Sequence, residues 1–87
     1  MDSEELHRIM VFVKHVIAMT RAMDPEQDVM EFVETVRHVR ALHTILIDAI
    51  AANEALVTEE MRGLAVVTGN LTDELEAKAA VLARRTH

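Results

Sequence analysis

The chain has 87 residues, enough for one domain, and is 51% hydrophobic but only 2% aromatic, with no Trp and no Tyr. Its net charge of -6, from nine Lys and Arg against fifteen Asp and Glu, opposes long-range attraction to phosphate and disfavours nucleic acid as a partner. The absence of Cys excludes disulfides, thiolate metal sites and cysteine nucleophiles, and it permits a reducing compartment.

A core of Val, Ile, Leu, Met and Ala suits helix on helix packing. The first helix is predicted over about residues 4–22, starting at Ser3-Glu4-Glu5-Leu6, where an acceptor side chain precedes acids that favour the positive end of the helix dipole. Leu6, Met10, Val13 and Ile17 share one seam, widened by Ile9 and Val16. Val11, Phe12 and Met19 put apolar surface on the other sides, more than so small a chain can cover, which points to an interface. The acidic stretch Met1-Asp2-Ser3-Glu4-Glu5 lacks the positive flank of a signal peptide. The apolar run from Ile9 to Met19 is interrupted by Lys14 and His15 and falls short of the ~20 apolar residues that span a bilayer. A cytoplasmic protein with no membrane partner is expected.

The second helix is predicted over about residues 25–56. Asp24 is placed to cap it, Pro25 fits the first helical position and Gln27 can complete a capping box. Val29, Phe32, Val36, Val39, His43, Leu46 and Ile50 step by three and four, so Val36, Val39, His43, Leu46 and Ile50 are expected at the core or an interface. Such a helix would be about 48 Å long. A compact monomer of this size would be only about 31 Å across. The helix must then break or overhang into a partner, and a homodimer is expected.

The third helix starts at Thr58-Glu59-Glu60-Met61. Val57, Met61, Leu64, Thr68, Leu71, Leu75 and Leu82 keep helical spacing to the end, but Val66-Val67-Thr68-Gly69-Asn70 reads as a helix stop followed by a fresh cap at Thr72. Two pieces, about 58–68 and 72–85, are expected. The fold class is therefore all-α: residues 1–87 form a single domain, an antiparallel helical hairpin or bundle of three main helices. The third helix is kinked or broken near 68–71, and the bundle is completed by self-association.

Histidine is the one source of chemistry, with His7, His15, His38, His43 and His87. Glu4 with His7, and Glu34 with His38, have ligand-compatible spacing, but each supplies one pair where a metal site needs several ligands. A di-iron bundle would need a second Glu-x-x-His motif and two further carboxylates. No metal or other cofactor is expected. Arg37-His38-Val39-Arg40-Ala41-Leu42-His43 resembles the phosphoacceptor helix of histidine phosphotransfer proteins and of histidine-kinase dimerisation domains, over about ten residues. The Lys-Gly or Pro positions that follow the His in those families are absent. Arg8-Ile9, Val13-Lys14, Val16, Met19, Asp28-Val29 and Val36 are similar to the helical metal- or aldehyde-sensing repressors. In this chain the family's Gly-Gln pair is Val11-Phe12, its cysteine is Glu26 and its basic face is acidic, so the sensor and most of the DNA contact are missing.

No Ser-His-Asp order, Gly-rich phosphate loop or paired acidic motif occurs, so an enzyme is not expected. The expected function is binding of another protein, as a regulator, anti-activator or accessory adaptor acting as a homodimer. Phe12, Met19, Met23 and Met30 are the candidate contact residues, being large and apolar near the first helix turn. The alternative is a histidine-dependent site, a metal-responsive regulator or a phosphoacceptor.

Overall fold

A computed structural model describes residues 2–85. Three helices account for most of it: α1 (Ser3–Ala22), α2 (Val29–Ala52) and α3 (Glu59–Arg85). A short 3-10 turn at Glu54–Leu56 joins the last two. Each start has a side-chain cap. Asp2 accepts from the Glu5 amide at 2.8 Å, Asp28 from Glu31 at 3.0 Å, and the Thr58 hydroxyl from Met61 at 3.3 Å. These satisfy amides that a helix N-terminus leaves without partners.

α2 and α3 form an antiparallel pair, and α1 lies in the groove along them, parallel to α3. The order is visible in three layers of packing. Leu6 and Met10 meet Ala49 and Met61 at one end. Val13 and Ile17 meet Leu46, Ala65 and Leu71 in the middle. Phe32, Val36 and Leu82 close the far end, with Met23 and Val29 packed against them. Salt bridges pin the surface: Lys14 to Glu60 between α1 and α3, Arg40 to Glu76 at 3.1 Å between α2 and α3, and Arg85 to Glu26 at 3.6 Å at the first turn.

α2 begins at Val29 and not at Pro25. The Asp24 carboxylate is used two residues on, by the Glu26 amide at 3.0 Å, and the Gln27 amide closes a turn onto the Asp24 carbonyl at 3.3 Å. The chain needs residues 23–28 to reverse direction while Met23 and Val29 dock into the end layer, and Asp28 then takes the capping role. α2 also ends at Ala52, where the Asn53 side chain turns back to the Ala49 carbonyl at 2.8 Å.

α3 is helical straight through 68–71, where a break was expected. Thr68 and Thr72 are buried, and each hydroxyl donates to the carbonyl four residues back, on Leu64 at 2.6 Å and on Thr68 at 2.8 Å. Thr72 is therefore no cap, and neither glycine of α3 takes the positive φ of a helix stop.

The helices run lengthwise in a rod of 48 × 18 × 17 Å with a radius of gyration of 14.3 Å. α2 has 24 residues and is about 36 Å long, so it fits inside the rod. The globule was expected to be spherical, and its elongation removes the argument that helix length alone demands a partner. Among the described residues no helix is long and apolar enough to cross a membrane.

Candidate binding groove between α1 and α2

The core seam of α1 is Leu6, Met10, Val13, Ile17 and Thr20, and it faces the α2–α3 pair. Helical spacing places Phe12, Val16, Met19 and Met23 to one side of that seam, on the edge that borders α2. Phe12 is 55% exposed and Met19 61% exposed, while Val16 and Met23 are half-buried. With Thr35, His38, Ala41 and Leu42 of α2 they line an open groove of about 480 Å³. Its walls are mainly apolar side chains, and Ile45, 51% exposed, lies one helical turn beyond Leu42 along α2.

The groove runs into the first turn, where Asp24, Gln27, Asp28 and Glu31 surround Met19 and Met23. Met30 is 79% exposed and is not among the groove residues. Met23 has a double position: it lines the groove and also packs on the end layer of Phe32, Val36 and Leu82. A polar residue there would disturb the fold as well as the surface. Met19 has no such tie. The contribution of α2 was not anticipated from sequence, although a signal was present: His38, Ala41, Leu42 and Ile45 recur at three to four residues beside the main seam.

Of the expected core or interface set, Val36, Val39 and Leu46 are buried, while Ile50 and His43 are half-buried. His43 is on the α2–α3 side, in a second, more polar depression of about 610 Å³ with Arg40, Thr44, Ile47, Asn70, Asp73 and Glu76. Its imidazole covers Gly69. The Arg40–Glu76 pair spans the same depression, so its central charges are already matched.

The remaining candidates are scattered. Glu4 is held by Arg8 at 2.9 Å, one turn along α1. His7 is exposed on α1, and His38 and Glu34 are exposed one turn apart on α2. His87 lies outside the described residues. Among the described residues no three His, Asp or Glu side chains converge where they could hold a metal ion. The carboxyl of Glu60 is displaced from its ordinary range. The hydrogen bond from Lys14 and then the Lys14 charge hold its pKa below the usual value of 4.5, with a smaller contribution from His7.

The groove offers mainly apolar walls, open to solvent. Comparison with protein-family models, curated proteins and solved structures finds no match.

Proposed function

We propose that this chain is a non-enzymatic helical protein of the cytoplasm that works by protein–protein binding, as a small regulator, anti-activator or accessory adaptor. The observation that carries this is the α1–α2 groove. Phe12 and Met19 stand more than half exposed beside Val16 and Leu42, and the core has no use for them. Apolar side chains cost about 25 cal/mol for each Å² left in water, so a contiguous strip of them favours a partner. Met side chains adapt to the shape of what they meet. An amphipathic helix laid in the groove would bury the strip and leave the acids of the first turn at its rim.

A capture experiment from the native source, with wild type and Met19→Glu in parallel and circular dichroism melts of both, tests this. Unchanged melting with loss of the captured protein is the expected result. Capture that is indifferent to Met19→Glu overturns the assignment of the groove.

A further inference from the structure

We propose that Met19 is a methionine-oxidation site that switches the α1–α2 groove off, with a peroxide as the oxidant and the sulfoxide as a reversible product. This rests on the groove being a protein-binding surface, and it names a regulation of that surface.

The chain has no Cys, so the thioethers of its six Met residues are its only sulfur. Access to solvent divides them. Met10 and Met61 are buried in one layer with Leu6 and Ala49. Met23 is half-buried against Phe32, Val36 and Leu82. Met19 and Met30 stand more than half exposed. In the reaction a sulfur lone pair attacks one oxygen of the peroxide, the S–O bond forms as the O–O bond breaks, and with hydrogen peroxide the other oxygen leaves as water. The thioether is oxidised to the sulfoxide and the peroxide is reduced, which balances the electrons. The oxidant must reach the sulfur. Met19 and Met30 therefore react from the folded chain, while Met10 and Met61 wait for local opening.

Position gives only one of the two exposed methionines a consequence. Met19 lines the groove with Phe12, Val16, Ala41 and Leu42, and Met30 does not. Oxidation turns an apolar, adaptable side chain into a polar one. In the free protein the sulfoxide stays in water, and because Met19 lies off the buried seam of α1 the fold keeps its packing. Under a bound partner the sulfoxide must give up that water. The two hydroxyls along the groove are already committed, Thr20 to the Val16 carbonyl at 2.7 Å and Thr35 to the Glu31 carbonyl at 2.8 Å. Covering a polar group without a hydrogen bond weakens binding by about tenfold. Met30 is the internal control, equally open to oxidant but outside the groove.

Under mild hydrogen peroxide, peptide mass mapping of the full chain is expected to find sulfoxide at Met19 and Met30 before Met23, and at Met10 and Met61 last. The circular dichroism melt is expected to hold through the first stage. At that stage the affinity of the apolar dye Nile red should fall about tenfold in wild type and in Met30→Leu, stay constant in Met19→Leu, and return after treatment with methionine sulfoxide reductases. Oxidation of Met10 or Met61 alongside Met19 overturns the switch. So does a dye that fails to bind the unoxidised chain, or whose affinity is unmoved by peroxide or falls equally in Met19→Leu. Partner capture separates this from the reading beneath it. Capture lost with Met19→Glu but kept after oxidation overturns the switch and leaves the groove, whereas capture indifferent to both removes the groove itself.

Discussion

The imidazole of His43 lies directly over Gly69: a Cβ added at Gly69 would sit 3.1 Å from His43 Nε2 and 3.3 Å from Cε1. That contact brings α2 and α3 together in the middle of the rod. Gly63, also inside α3, would meet nothing within 4 Å. Since Gly in a helix interior costs about 0.5–1 kcal/mol relative to Ala, Gly63→Ala should stabilise by that amount. Gly69→Ala gains the same propensity but must push a ring aside, a kind of overpacking that costs about 1–3 kcal/mol, so it should be neutral to destabilising. In a His43→Ala background Gly69→Ala should become stabilising. Urea titrations of the four variants measure the cycle, and equal effects at the two glycines would show that the ring yields freely.

The buried face of α2 should dominate stability. Leu46 is 1% exposed and packs with Val13, Ile17, Ala65 and Leu71, so Leu46→Ala should cost about 2–5 kcal/mol. Glu31→Ala and Arg37→Ala remove exposed side chains and should each cost less than about 1 kcal/mol. Denaturant midpoints with unchanged slopes are the check. Comparable losses from both sets would place the helix phase wrongly.

The three-helix class was legible because Leu6-Met10-Val13-Ile17 and Phe32-Val36-Val39-His43-Leu46 hold their spacing without interruption. The continuity of α3 was not. Local rules read Gly69-Asn70 as a stop, and what overrides them is the contact with His43, distant in sequence, together with two threonines satisfied by their own helix. The start of α2 was obscured for a related reason. Asp24 and Asp28 are both competent caps, and the choice between them is made by where Met23 and Val29 must dock. At the groove, the exposed α1 side chains could be listed from sequence, but the α2 wall depends on the relative rotation of two helices, which periodicity in one helix does not contain.

Acid should loosen α1 from α3. The pKa of Glu60 is lowered in the folded state by the Lys14 hydrogen bond and charge, so the pair stabilises the fold above the unfolded-state pKa and the benefit is lost as pH falls through the folded one. Both side chains are exposed, which makes the effect small. Wild type should melt slightly above Glu60→Gln at neutral pH, and the gap should shrink as acid protonates Glu60 in the folded state. A gap that persists in acid would mean that Glu60 acts by packing and not by charge.

The two aspartates of the first turn should differ in weight. Asp28 accepts from the Glu31 amide at 3.0 Å and starts a helix of 24 residues, so Asp28→Ala removes a cap and should cost about 1 kcal/mol. Asp24 accepts from Glu26 at 3.0 Å inside an exposed turn that is also closed by a backbone bond from Gln27, so Asp24→Ala should cost less than half as much. Asp28→Asn keeps an acceptor oxygen and should recover most of the loss, which separates the hydrogen bond from the helix-dipole charge. Thermal melts of the three variants decide it. If Asp24→Ala is the costlier change, α2 effectively begins at Pro25, and the turn is part of the helix it precedes.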